Sequence, residues 1–430
     1  MRLLIHPTTR PLVKELTIPS SKYHAHRALI LASLAPGRSV IAGLTHAKHV
    51  EYTLDLLRAL GTSIRTDGDL FIVDGGPYRP ARSELSVGSS GSTLYFMTGL
   101  AALADRPVTL VGQRYFRHRP VQPLLDALAQ MGIRVTSNDG CPPLRIESGR
   151  PSGGRVRLPG TLSQWLSGLL LIAPFASRET VIEIDGELNE RPYVELTVSM
   201  MRRFGLEVET STDWRRYVIA PDQQARPARI ELPPDIGSAA FGLAIAALHP
   251  SDIVLRRLKL NGANDHPEGA FLDVIREMGL PLTYDEAAGG VRISHGGMRL
   301  RAVRVDCRDT PDILPILSAL ASFAEGESVF ENIDHVRLKE SDRVAAMLQL
   351  NRMGADARVE GSRLVIRGVS ALKGAMLSSY NDHRVLMSLA VAATRACGDT
   401  LLTYPHAYRI SYPEFLVAMN HIGASMECVD

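Results

Sequence analysis

The sequence predicts an α/β protein of two domains, each assembled from three βαβαββ units. Three observations predict it. An apolar helix end, a glycine, a short strand, a turn and a second strand recur six times. The glycines stand at 61, 132, 205, 279, 354 and 423, separated by 71, 73, 74, 75 and 69 residues. A near-constant period along a whole chain marks a repeated supersecondary unit. Before each of these phrases lies a helix that is apolar almost all round, as in RALILASLA, SGLLLIAPFA and FGLAIAALH. Such helices have to be buried. Finally, 430 residues exceed one ordinary core, and the loop from Pro221 to Pro234 carries four prolines.

The units follow in order. The first has a buried helix from Lys22, a β-rich run from Ser39 to Leu44, and the amphipathic helix EYTLDLLRALG ending at Gly61. The second begins its buried helix near Ser89 and ends LLDALAQMG at Gly132. The third starts at Ser163, runs through Thr180 to Asp185 and closes at Gly205. The fourth, fifth and sixth begin near Ile236, Pro311 and Asn381 and close at Gly279, Gly354 and Gly423. The second helix of each unit is amphipathic and should cover the outside. Each marker glycine stands where a helix ends in a left-handed residue. The opening strands, Arg2 to Ile18, complete no unit and are expected to join the C-terminal half. The expected domains are therefore 1–18 with 229–430, and an inserted domain 19–228.

Composition narrows the function. A net charge of +2 is too balanced for a dedicated nucleic-acid binder. Cys141, Cys307, Cys397 and Cys428 form no CxxC pair, so reduced thiols in a cytoplasmic protein are expected. The N-terminal stretch has neither a long apolar core nor a small-residue cleavage site, and no apolar run spans a membrane. There is no Gly-rich nucleotide loop, and the histidines at 24, 26, 46, 49 and 118 show no metal-ligand spacing.

Six like-oriented buried helices would aim their N-termini, each about half a positive charge, into a cleft between the domains. Charged residues gather at those ends: Lys22 and Arg27; Arg114, Arg117 and Arg119; Ser163, Gln164, Arg191 and Tyr193; Asp309 and Asp312; Arg337 to Arg343; and Asp382, His383, Arg384 and Arg409. Several arginines at one place suit phosphate and carboxylate. Asp312, Lys339, Glu340 and His383 are candidate proton carriers. The stretch HVRLKESDR, from His335 to Arg343, also reads as a solvated helix start with i,i+3 and i,i+4 ion pairs.

Pro19-Ser20-Ser21-Lys22 with Arg27, Arg119-Pro120, Ser163-Gln164 and Arg191-Pro192-Tyr193 form one set of motifs. Asp312, Lys339-Glu340-Ser341-Asp342-Arg343 and Tyr380-Asn381-Asp382-His383-Arg384 form another. With these the chain resembles, end to end, the enolpyruvyl transferases, most closely the branch whose acceptor is shikimate 3-phosphate. The resemblance implies an inside-out α/β barrel in each domain, no metal or cofactor, small-molecule substrates only, and a monomer. It implies transfer of the enolpyruvyl group of phosphoenolpyruvate to an acceptor hydroxyl through a tetrahedral ketal phosphate. By position it assigns the donor phosphate to Lys22, Gly91, Arg119 and Gln164, and the donor carboxylate to Arg343 and Arg384. The acceptor falls to Tyr23, Arg27, Ser163, Gln164, Tyr193, Asp312, His335 and Lys339. Asp312, Lys339, Glu340, Lys22 and His383 are the implied catalytic groups.

The chain departs from the family pattern at Tyr23, His49, Tyr95, Leu162, Glu190, His335 and Ile410, and in Ser89-Ser90-Gly91-Ser92. An anionic Glu190 is expected to repel an acceptor phosphate. The donor side is mostly kept, with Ile410 where the family has a donor-site lysine and Arg409 adjacent, and the acceptor side is rebuilt, so the alternatives are a paralogue with a different acceptor or a non-catalytic anion binder. The absence of a cysteine from the loop Arg114 to Arg119 argues against the UDP-N-acetylglucosamine branch.

Overall fold

The computed structural model describes residues 1–43, 45–113, 116, 119–260 and 266–430. The chain divides into two compact units, Met1–Pro19 with Pro234–Asp430, and Ser20–Pro233. Six four-stranded sheets are present among the described residues. All six share one pattern: the first two strands run parallel, and the third and fourth are added antiparallel.

In the inserted unit the central helices are Lys22–Leu34, Gly91–Leu100 and Ser163–Ile172. In the other unit they are Ile236–Leu248, Leu314–Ala321 and His383–Ala393. Every residue of the last three is buried, and these helices pack on one another. Strands alternate instead: Cys141–Ile146 buries Pro142, Leu144 and Ile146 and exposes Pro143 and Arg145. Helices form the core and sheets the outer layer, an inside-out α/β arrangement. All six marker glycines have positive φ, from 74° at Gly205 to 118° at Gly423, as helix-ending positions require. Among the described residues no helix is long and apolar enough to cross a membrane.

Three helix starts differ from the sequence expectation. Ser90, not Ser89, caps its helix, its Oγ accepting from Thr93 N at 3.1 Å. Tyr380 and Asn381 are left-handed, at φ 52° and 57°, so the sixth helix starts at His383 behind the Asp382 cap. Pro311–Ile313 is a 3-10 turn, and the α-helix follows at Leu314. Pro315 has no N–H to donate back to Pro311, which rules out an α-helical bond there.

The domain boundary lies after Pro233 rather than at 228. Strand Arg229–Glu231 pairs in parallel with Gly37–Ala42 of the inserted unit, in register Arg229 with Val40. Strand Leu12–Thr17, although it leads into the Lys22 helix, pairs with Ser251–Arg256 of the other unit. The chain therefore exchanges first strands at its two crossings. Strand Arg2–His6 fills the sixth sheet, between Thr400–Leu402 and Ser425–Val429.

Candidate functional site

In the inserted unit, three helix starts are linked by side chains. Arg119 is buried, and its guanidinium lies on the first turn of the Gly91 helix. A Cβ at Gly91 would stand 2.8 Å from Arg119 Nη1, so a side chain there would push the guanidinium aside. Arg119 Nε donates to Tyr95 Oη at 3.1 Å and Nη2 to Gln164 Oε1 at 3.4 Å. Gln164 Nε2 in turn donates to Ser92 Oγ at 3.1 Å. Arg119, Gly91 and Gln164 thus form one cationic, donor-rich surface at two helix tips. A second chain runs from His26 Nδ1 through Thr53 and Thr93 to Ser90 Oγ, in steps of 2.8, 2.6 and 2.7 Å. Burial, with the charges of His49, Lys22 and Arg27, pushes the His26 pKa well below the ordinary histidine value. His26 is therefore a neutral link.

Lys22 is buried at the first position of its helix, its ammonium 5.2 Å from the Tyr23 ring centroid. The Tyr23 and Tyr193 rings meet edge to face at 5.3 Å. Arg27 is engaged inside the protein. Its Nε donates to Thr197 Oγ1 at 2.8 Å, Nη1 to Tyr23 O and Nη2 to Tyr193 O, both at 3.0 Å. Phe96 lies under its guanidinium at 4.9 Å. Burial lowers the Arg27 pKa to about 9. Glu190, which the sequence flags as a departure, is left-handed (φ 60°, ψ 35°) and buried. Its Oε2 accepts from Ser163 N at 3.1 Å and Ser163 Oγ at 2.5 Å. A side-chain carboxylate thus already sits on the start of the Ser163 helix. Arg114, Arg117 and His118 lie outside the described residues.

The C-terminal unit is organised on Arg343, whose side chain has no exposure. Nη1 reaches Asp312 Oδ1 at 2.6 Å, Nη2 reaches Glu340 Oε2 at 2.8 Å, and Nε reaches Asp382 Oδ2 at 2.8 Å. Burial opposes the charge on Arg343, but Asp382, Asp312 and Glu340 together hold its pKa well above the ordinary value. Arg384 adds a second cation: Nη2 lies 3.1 Å from Asp312 Oδ2 and Nη1 donates to Asp312 O at 3.2 Å. Asp312 is therefore clamped between two arginines. The HVRLKESDR stretch is only partly the solvated helix start: its surface pair is i,i+5, and its i,i+3 pair, Glu340–Arg343, is largely buried. Asp342 caps its helix and pairs with Arg337 at 2.9 Å on the surface, while Glu340 and Arg343 turn inward. His335 is buried on the 3-10 turn Asp334–Leu338, and Lys339 is partly exposed. His383 is fully buried, its Nδ1 3.9 Å from Asp382 Oδ1, beyond hydrogen-bond range.

Two residues absent from the sequence reading belong to this cluster. Glu268 is fully buried, and its N–H donates to His266 Nδ1 at 3.1 Å. His266 Nε2 lies 3.4 Å from Asp235 Oδ1 at the tip of the Ile236 helix. The repeat carried the signal: Glu268 precedes Gly279 by 11 residues, just as Arg343 precedes Gly354 by 11.

Known proteins match this chain along its length. The family model for EPSP synthase (3-phosphoshikimate 1-carboxyvinyltransferase) matches residues 7–419. The 3-phosphoshikimate 1-carboxyvinyltransferase of Methanocaldococcus jannaschii is 33% identical over 434 residues, covering 99% of this chain and 100% of that protein. The protein of the same name from Methanococcoides burtonii is 35% identical over 420 residues, 96% of each chain. The solved EPSP synthase of Acinetobacter baumannii superposes with a TM-score of 0.82 at 25% identity, over 100% of both chains. The chain belongs to the EPSP synthase (3-phosphoshikimate 1-carboxyvinyltransferase) family, whose members are carboxyvinyl transferases.

Proposed function

We propose that this protein transfers the carboxyvinyl group of phosphoenolpyruvate to the hydroxyl of shikimate 3-phosphate and releases phosphate. The observation that carries the reading is the Arg343 centre, which holds a candidate base, Asp312, and a candidate acid, Glu340, on one buried guanidinium. Asp312 takes the hydroxyl proton with Lys339 beside it, and Glu340 delivers a proton to the methylene carbon. The oxygen–carbon bond forms, giving a tetrahedral ketal phosphate. Loss of a methyl proton and of phosphate then regenerates the enol ether.

Lys22, Gly91 N–H, Arg119 and Gln164 hold the phosphate, whose charge grows as it leaves. Arg343 and Arg384 hold the donor carboxylate. Three carboxylates already surround Arg343, so the substrate carboxylate replaces Glu340 on Nη2, and Glu340 becomes available as the proton carrier. On the acceptor side, Ser163, Gln164, Tyr193, Tyr23, His335, Asp312 and Lys339 make contact. Arg27 shapes that side by fixing the backbone of Tyr23 and Tyr193. His383, the first residue of the helix that carries Arg384, is the further candidate proton carrier. The enzyme acts as a cytoplasmic monomer on small molecules, consistent with its four free thiols.

Phosphate release from phosphoenolpyruvate, measured with and without shikimate 3-phosphate, tests the reading. Release that requires both substrates is expected; none with either removes the assignment. Gly91→Ala tests the donor half, because its Cβ would press on Arg119. The Michaelis constant for phosphoenolpyruvate should rise about tenfold, the loss of about one charged hydrogen bond. An unchanged constant would show that Arg119 does not grip the phosphate from this position.

A further inference from the structure

We propose that Gln349 is a positioning residue: its amide ties the turn 378–382 to the segment that carries Glu340 and Arg343, so that Asp382 and Arg384 meet Arg343 and Asp312. The inference deepens the functional reading above and rests on it for the identity of the substrate.

Gln349 lies on the 3-10 helix Leu348–Met353, which continues the helix Arg343–Met347. Its side chain is buried. Nε2 donates to Ser378 O at 2.8 Å and to Ala346 O at 2.9 Å, and Oε1 accepts from Ser378 N at 2.8 Å. One amide thus satisfies both backbone groups of Ser378, where the strand Met376–Leu377 has ended. From another side, Thr403 Oγ1 donates to Ser378 Oγ at 3.1 Å and accepts from Ser379 N at 3.3 Å. Two left-handed residues follow, Tyr380 at φ 52° and Asn381 at φ 57°. Tyrosine seldom adopts that region, and such a backbone persists only where its surroundings fix it. Asp382 comes next. Its Oδ2 accepts from Arg343 Nε and its Oδ1 from Arg384 N, both at 2.8 Å.

The repeat separates this tie from the ordinary needs of the fold. In four units, among the described residues, the side chain three residues before the marker glycine donates to the carbonyl three residues after it. These pairs are Arg58 with Ile64, Arg202 with Val208, Asn351 with Ala357, and Asn420 with Met426. That clip fastens the end of an outer helix to the chain that follows it. Five residues before the glycine, the other units carry Leu56, Ala127, Met200, Val274 and Ala418. Only the unit that holds Arg343 puts an amide there, and that amide grips the turn leading to Asp382 and Arg384.

Without the amide, substrate binding has to order the turn, and that cost appears in affinity rather than in the saturated rate. Gln349→Met keeps the length of the side chain and removes the tie. Its Michaelis constant for phosphoenolpyruvate, at saturating shikimate 3-phosphate, should rise about tenfold while kcat stays within about threefold. Asn351→Ala removes the common clip from the same 3-10 helix. It should melt several degrees lower, as Gln349→Met does, with that constant unchanged. An unchanged constant in Gln349→Met, or an equal rise in both variants, overturns the proposal.

Gln349→Glu serves if Gln349→Met does not fold. Its carboxylate still accepts from Ser378 N but has no hydrogen for Ser378 O, whereas the protonated acid has one. Facing a carbonyl in a buried place raises the pKa of such an acid. Its constant relative to wild type should therefore fall as pH drops from about 8 to about 5. A flat ratio overturns the proposal. Amide exchange reads the tie without turnover. The N–H groups of Ser379, Tyr380 and Asp382 donate to Thr403 Oγ1, Ser378 Oγ and Ser379 O. They should exchange about tenfold faster in Gln349→Met and at the wild-type rate in Asn351→Ala. No acceleration in Gln349→Met also overturns the proposal. Absence of wild-type turnover overturns the functional reading instead, and amide exchange still decides the tie.

Discussion

Arg343→Met is expected to destabilise the C-terminal unit by about 3 kcal/mol and to abolish turnover. Methionine fills a similar volume, so the loss is electrostatic. Removing one partner of a buried ion pair typically costs about 3–5 kcal/mol, because the other charge is left in a dry place. The lower end applies here. Asp312 keeps Arg384 at 3.1 Å, and Asp382 keeps Ser341 and the Arg384 N–H. Glu340, 14% exposed, can turn toward water. For a unit of about 200 residues the melting transition should drop by roughly 10 °C. The deficit should shrink as pH falls from 7 toward 5, because the stranded carboxylates can then take up protons. Arg299–Glu325 is the control: it has the same 2.8 Å separation, but its side chains are 85% and 61% exposed. Arg299→Met should change stability by less than about 1 kcal/mol. Equal melting of Arg343→Met and wild type would show that the three carboxylates do not depend on Arg343.

The repeat was legible because a local constraint wrote it. Each outer helix must end in a left-handed residue, and glycine marked that place six times. The buried helices were legible for a similar reason, since an all-apolar surface has no other place to go. The strand exchange was not. Arg229–Glu231 lies inside the proline-rich stretch that reads as a loop, and nothing local says that it is a strand or that its partner is Val40. Arg27 shows the same limit at the site. Its position beside Lys22 is visible in the sequence, whereas its ties to Thr197 and Phe96 join segments far apart in the chain. In KESDR, composition shows five polar residues and not which of them turn inward. Glu268 was hidden by its loop, rich in Gly, Asn and Asp, and emerges only when the repeat is laid over it.

Glu190→Ser should improve binding of shikimate 3-phosphate while lowering stability, and the opposite signs make the result hard to mistake for general damage. The Glu190 carboxylate accepts from both the backbone and the hydroxyl of Ser163, at the start of a buried helix. A helix start is a ready anion site, and here a side chain of the protein occupies it. An incoming phosphate must displace that carboxylate or share the helix tip with it. Two like charges about 4 Å apart, at an effective dielectric of about 20, repel by about 4 kcal/mol. Only part of this is relieved by substitution, so a tenfold to hundredfold fall in the Michaelis constant, roughly 1.4 to 2.7 kcal/mol, is expected. Loss of the capping bond should remove about 1 kcal/mol of stability. Glu190→Gln separates charge from shape, since its amide oxygen can still accept from Ser163. If charge is the obstacle, glutamine recovers most of the gain in affinity. If neither variant changes the constant, the phosphate of the acceptor does not meet the Ser163 helix, and Glu190 is a cap and nothing more.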